Sequence, residues 1–210
     1  MTDVQVCGLT RAEDVALACE LGARYLGFNF SAASPRRLSL DAAGRLAAAA
    51  PRHVARVGVF VDESAEEMRE AAEAAALDFV QLHRPLLPED LDAAPRPVFA
   101  VARVGAGGAP AGPDETLARC RAILFDTAVA GLAGGTGETF DWGLITGRRW
   151  PVPVFVAGGL TPENVGEAIA RVRPSAVDVA SGVESAPGVK DSEKMARFFR
   201  AVEEADARLA

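Results

Sequence analysis

The chain has 210 residues, of which 50% are hydrophobic and 24% charged, and carries a formal net charge of −7 at neutral pH. That acidic balance, without any basic run, argues against general nucleic-acid binding, and no stretch is long and apolar enough to span a bilayer. Three cysteines with no C-x-x-C pair and two isolated histidines, His53 and His83, argue against a disulfide scaffold and against a structural zinc site.

Apolar runs suited to buried parallel strands alternate with amphipathic segments along the whole chain. The first strand is predicted at Val4–Cys7, with Thr10 placed to cap a helix over Ala12–Leu21. Cys7 closes that strand at a position where an active-site thiol would stand, although most free cysteines are simply small buried hydrophobes. Cys19 and Cys120 read as core. The second strand, Tyr25–Phe30, leads to Ser34-Pro35-Arg36-Arg37. The guanidinium fork of Arg36 suits a carboxylate, and a solvated basic loop is the stronger reading of those residues alone.

A helix at Leu40–Ala49, a strand at Ala55–Val61, a helix at Ala65–Ala76 and a strand at Phe79–Leu82 follow. Next come a weak helix at Pro88–Ala94, a strand at Val98–Arg103, a Gly/Pro-rich loop at Ala106–Pro113 and a short helix at Asp114–Arg119. The strand Ala122–Asp126 ends on a carboxylate that burial would hold protonated, the property of a proton donor; a helix cap or loop anchor is the competing reading. Gly131–Gly137 is a loop able to fold over a substrate, and it is no dinucleotide fingerprint because it does not open a helix directly after a strand.

Beyond a helix at Asp141–Ile145, the strand Val154–Ala157 runs into Gly158-Gly159-Leu160-Thr161-Pro162. Thr161 is placed as N-cap and Pro162 as first residue of a helix ending at Arg171. The strand Ala176–Val179 carries Asp178 between two valines, directed into the interior or its rim, and is followed by Ser181-Gly182. A helix at Ser192–Ala207 ends the pattern.

Strand–helix alternation implies parallel strands joined by crossover helices. An open doubly wound sheet competes, but about eight repeats with polar or glycine residues at most strand ends favour a closed (β/α)8 TIM barrel, an α/β fold. No linker divides the chain, so residues 1–210 read as a single barrel domain. Two glycine-bearing turns late in such a chain suggest a phosphate cradle after the seventh and eighth strands; turn chemistry without a ligand is the alternative. The expected ligand is a small phosphorylated molecule. The N-terminus lacks the features of a signal peptide, and a cytoplasmic location is the default expectation.

These residues carry a resemblance. Val6-Cys7-Gly8-Leu9-Thr10, Ser34-Pro35-Arg36, Val80-Gln81-Leu82-His83, Phe125-Asp126-Thr127, Gly134-Gly135-Thr136-Gly137, Gly158-Gly159-Leu160-Thr161-Pro162-Glu163-Asn164-Val165, Ser181-Gly182-Val183-Glu184 and Lys190-Asp191 stand in the order found in phosphoribosylanthranilate isomerases. The similarity spans nearly the whole chain. It implies a cofactor-free, metal-free Amadori rearrangement of N-(5-phosphoribosyl)anthranilate in tryptophan biosynthesis, in a monomer or homodimer. It further implies Cys7 as general base, Asp126 as general acid and Arg36 against the anthranilate. The backbone at Gly158, Gly159, Ser181 and Gly182 would hold the phosphate, and Asp178 would line the site near the substrate.

The chain departs from that family at Gln5 and Arg84, where lysine and glycine are usual, at Ala102-Arg103, where a lysine is common, and at Ala180, where serine is frequent. The mechanism asks Asp126 to keep its proton above the ~3.9 of free aspartate, and Cys7 to ionise at or below ~8.5. A related barrel isomerase or epimerase for another phosphorylated sugar, and a non-catalytic ligand-binding barrel, are the alternatives.

Overall fold

The computed structural model describes residues 1–105, 112–127 and 139–210. Eight parallel strands form a closed barrel in sequence order: β1 (Asp3–Cys7), β2 (Tyr25–Asn29), β3 (Ala55–Phe60), β4 (Phe79–Leu82), β5 (Val98–Val104), β6 (Ala122–Thr127), β7 (Val154–Val156) and β8 (Ala176–Val179). Closure is made by β1 on β8, where Gln5 pairs with Asp178 and Val6 with Val179. The helices are α1 (Ala12–Glu20), α2 (Leu40–Ala48), α3 (Ala65–Ala74), α4 (Pro88–Ala93), α5 (Asp114–Leu117), α6 (Val165–Val172) and α7 (Ser192–Leu209). The expected barrel is the one observed, and the open sheet is ruled out by the β1–β8 pairing.

Strand pleating divides the core in two. Residues of one parity, among them Val6, Phe28, Phe60, Leu82, Phe125 and Val177, face the helices and pack with Met68, Ile169, Met195 and Phe198. Residues of the other parity fill the barrel. At its N-terminal end these are Val57, Phe99, Leu124, Phe155 and Ala176, with Tyr25 and Phe79 against them. Phe79 stacks on Phe99 at 4.7 Å between ring centres, and Phe155 meets Phe99 edge-on at 5.1 Å. Along each strand the inward residues change from apolar to polar: Phe79, Gln81, His83 near β4; Phe99, Val101, Arg103 on β5; Ala122, Leu124, Asp126 on β6. The barrel is thereby plugged at one end and chemically equipped at the other.

Capping explains several boundaries. Ser39 accepts from Ala42 N at α2, Ser64 and Glu67 form a reciprocal capping box at α3, and Asp191 accepts from Lys194 N at α7. Three local expectations fail. Asp141–Ile145 is only a 3-10 turn, Trp142–Leu144, held by the Asp141 side chain on Gly143 N. Thr10 does not cap α1; its hydroxyl donates to Gly188 O, a partner 178 residues away. Helix α6 starts at Val165 rather than Pro162 because the Asn164 side chain ties up the preceding turn: Thr161 N donates to its Oδ1 at 2.8 Å and its Nδ2 donates to Gly159 O at 2.9 Å. The Ala106–Pro113 and Gly131–Gly137 loops lie almost wholly or wholly outside the described residues.

One element went unpredicted. After β8 the chain makes a 3-10 turn, Ser181–Val183, and then a small antiparallel hairpin of β9 (Glu184–Ala186) and β10 (Val189–Lys190). It lies over the C-terminal end of β1, and it delivers two charged side chains to the interior.

Candidate active site

The C-terminal ends of the strands surround a cavity of about 210 Å³. Cys7, Asp126 and Asp178 enter it from β1, β6 and β8, and Arg36 from the loop after β2. Gly158 and Gly159 after β7, and Ser181 and Gly182 after β8, complete one side of it. All eight residues singled out in the sequence are therefore brought together.

The glycine turns are required by close packing. Gly158 has φ of +78°, and a Cβ there would lie 2.6 Å from Asp126 Oδ1 and also run into Thr127 N and Oγ1. Glycine thus lets the turn after β7 close over the end of β6. A Cβ on Gly182 would collide with Leu160 O, so the two turns also touch one another. Among the described residues, the N–H groups of Gly159, Ser181 and Gly182 have no acceptor. All three residues line the cavity, where unpaired backbone donors are able to receive an anion.

Arg36 is not a solvated loop residue. Its Nε and Nη2 grip Glu184 at 2.8 and 2.5 Å, and its side chain is 14% exposed. Glu184 also accepts from Lys190 Nζ at 2.9 Å. Burial works to raise the Glu184 carboxyl, but the bonds from Arg36 and Lys190 outweigh it and hold the group below its ordinary value.

Electrostatics at the mouth are dominated by burial. Asp126 is raised, chiefly by desolvation, against the pull of Thr127 N–H and the Arg103 charge. This agrees with the role expected of it. Asp178 is pushed up to about 8 by burial and by the neighbouring Asp126 charge, with Lys190 opposing. Cys7 departs from expectation. Burial, followed by the Asp178 charge, pushes its thiol well above the usual range, while Lys190, Arg36 and Gly8 N–H pull the other way. Burial thus favours the protonated sulfur, and the two cations and the Gly8 N–H favour the thiolate.

Sequence reading missed the layer behind the mouth. Gln5 Nε2 donates to Gln81 Oε1 at 2.9 Å, and Gln81 Nε2 reaches His83 Nε2 at 2.8 Å. With Gln81 as donor, His83 is a neutral imidazole. Its pKa falls to about 4 through burial and the Arg103 charge. Among the described residues, Gln5 Oε1 and Asp178 Oδ1 are both buried without a partner, and the two residues pair across β1–β8. A proton on Asp178 gives that pair of acceptors the donor it lacks. The signal for Gln81, His83 and Arg103 was present in strand parity, because each lies two or four residues beyond an inward aromatic. Arg84 stays out of the cavity, bonded to Val61 O and Asp90.

Comparison with known proteins gives a consistent result. The family model for N-(5'phosphoribosyl)anthranilate (PRA) isomerase matches residues 4–201. The N-(5'-phosphoribosyl)anthranilate isomerase of Pseudomonas syringae pv. syringae (strain B728a) is 46% identical over 198 residues, 94% of this chain and 96% of its own. The crystal structure of phosphoribosyl anthranilate isomerase from Thermotoga maritima superposes with a TM-score of 0.85 at 36% identity, covering 97% of this chain and 100% of the other. A phosphoribosyl anthranilate isomerase solved in complex with reduced 1-(o-carboxyphenylamino)-1-deoxyribulose 5-phosphate gives 0.81 at 34% identity, covering 97% and 100%.

Proposed function

The chain belongs to the N-(5'-phosphoribosyl)anthranilate isomerase family, and from that premise we propose that it converts N-(5-phosphoribosyl)anthranilate to 1-(2-carboxyphenylamino)-1-deoxyribulose 5-phosphate in tryptophan biosynthesis. One observation carries the reading: a thiol from β1 and a carboxylic acid from β6 line the same cavity, beside the glycine turns after β7 and β8.

Each part of the site has a task in that reaction. The phosphate binds the N–H groups around Gly158, Gly159, Ser181 and Gly182. Asp126, whose carboxyl burial raises above its ordinary value, gives its proton to the furanose ring oxygen, and the C1–O bond breaks to leave an iminium ion. Cys7 takes the proton from C2, and the electron pair moves into a C1–C2 double bond, neutralising the iminium. The resulting enolamine takes up a proton at C1 and releases the proton of its C2 hydroxyl to become the aminoketose, so two protons are given and two returned, with no net gain or loss of atoms or electrons. The base is the Cys7 thiolate; the iminium charge beside it favours that ionised form and also makes the C2 proton acidic.

In this reading Asp178, which lines the cavity from β8, would lie near the substrate, and Arg36 would meet the anthranilate with its plane fixed by Glu184. Among the described residues, no helix is long and apolar enough to cross a membrane; the cytoplasmic site of action is part of the proposal. The test is a direct assay on phosphoribosylanthranilate, followed by the fluorescence change as the product forms. Turnover with no added metal or cofactor supports the proposal; a protein that binds the substrate without converting it overturns it. Arg103, which lines the cavity where the family commonly has lysine, favours one extension of that assay to other phosphoribosyl amines. Faster conversion of one of these would assign the chain to a different sugar phosphate.

A further inference from the structure

Lys190 is a buried ammonium group outside the acid–base pair. Its side chain is 0% exposed. Nζ donates to Cys7 O at 2.6 Å, to Ala180 O at 3.0 Å and to Glu184 Oε1 at 2.9 Å. These three acceptors are the backbone of the thiol residue, the residue preceding the Ser181-Gly182 turn, and the carboxylate that fixes Arg36. The backbone of Lys190 is itself anchored, since its N–H donates to Asp14 Oδ2 at 3.1 Å, and Asp14 is paired with Arg11.

A buried ammonium ion is expensive unless all three of its donors are used. Here they are all used, and two of them go to carbonyl groups at the rim of the site. A neutral side chain would hold the hairpin onto β1 at far lower cost in desolvation. What the charge adds is a positive field at the end of β1, where Gln5 leaves the strand without the lysine that its family usually carries.

We propose that Lys190 is a positioning residue for the isomerisation: delivered by the β9–β10 hairpin, it ties the ends of β1 and β8 together and supplies the positive charge that stabilises the thiolate of Cys7. This inference rests on the reading of Cys7 as the base. The charged groups acting on Cys7 are Lys190 from the hairpin, Arg36 from the loop after β2 and Asp178 on β8; Asp126 on β6 lines the same cavity, and Glu184 is bonded to both cations. From its own strand the neighbour is the uncharged Gln5, and β2 offers Gly27, which has no side chain. Lys190 and Arg36 are the cations that pull the thiol down.

The test reads the acidity of Cys7 directly, by the pH dependence of iodoacetamide alkylation in a protein whose Cys19 and Cys120 are replaced by alanine. Lys190→Gln keeps hydrogen-bond donors but removes the charge; the alkylation midpoint should rise by about 1 unit or more. Glu184→Gln removes the anion between the two cations, and the midpoint should fall. Lys190→Arg should restore most of the shift. General loosening of the hairpin would move both glutamine variants the same way, so opposite signs are diagnostic. A Lys190→Gln profile that superimposes on the parent, or shifts of one sign in both variants, overturns the proposal. If Lys190→Gln does not fold, the Glu184→Gln and Lys190→Arg profiles decide by the same signs. The role of Cys7 is read separately: full turnover in Cys7→Ala removes the base assignment, while the alkylation profiles still report what sets the acidity of the thiol.

Discussion

Cys7 and Asp126 receive the same treatment from the protein and need opposite results from it. Burial works toward keeping the proton on both. For Asp126 that is the direction an acid requires, so a buried strand-end carboxylate needs nothing further. For Cys7 burial is a handicap that nearby cations must offset, which makes the base more dependent than the acid on its surroundings. Cys7→Ala and Asp126→Ala should each lower kcat by ~10²–10⁴-fold while circular dichroism and melting remain those of a folded protein. Near-normal turnover in either variant excludes that residue from proton transfer. Sequence reading located both residues because each ends an apolar run. The residues around Arg36, taken alone, favoured a solvated loop, because its partner Glu184 lies 148 residues away and no local pattern announces the pair.

At the scale of elements, local signals worked where the stabilising partner is also local. The Ser39, Ser64 and Asp191 caps all bond within three residues, and the helices they start agree with expectation. Asp191→Ala should cost about 1 kcal/mol, read as a lower urea midpoint with unchanged slope. A cost near zero would mean that α7 is held by packing of Met195, Phe198 and Phe199 alone. Expectation failed where the partner is remote or where a single side chain competes. Thr10 was drawn away from its helix by Gly188 O, and Asn164 delayed α6 by binding Thr161 N and Gly159 O. The β9–β10 hairpin escaped notice because its two strands have three and two residues, too short for a period-2 pattern to register.

On the scale of the whole molecule, one end of the barrel provides stability and the other function. Phe99 is the centre of the plug, touching Tyr25, Phe79 and Phe155. Phe99→Ala should cost about 3–5 kcal/mol by chemical denaturation. A loss below about 1 kcal/mol would show that the plug collapses around the gap. The mouth works against stability in a pH-dependent way. Asp178 has its folded-state pKa raised from 3.8 to about 8. The unfolded chain gives up this proton within that window and the native state keeps it, so stability falls as pH rises through it. His83 has its pKa lowered from 6.5 to about 4, so its contribution is lost as pH falls through that interval. Asp178→Asn removes the first effect only. The Tm of this variant, relative to the parent, should climb from about pH 4 to about pH 8. A difference that does not change with pH would show that Asp178 ionises as an ordinary carboxylate.

What the sequence determined by itself was the repeat, the closed barrel and the rim positions of Cys7, Asp126, Asp178 and the two glycine turns. These follow from short-range rules: apolar runs make buried strands, pleating alternates their side chains, and the C-terminal end of each strand opens on the same face. Tertiary structure alone decided the charge state of those residues. The Glu184 partners Arg36 and Lys190, the register that sets Gln5 beside Asp178, and the Gln5–Gln81–His83 bonds all join distant segments. Proton affinity depends on such neighbours and on exclusion of water, and neither exists until the barrel has closed.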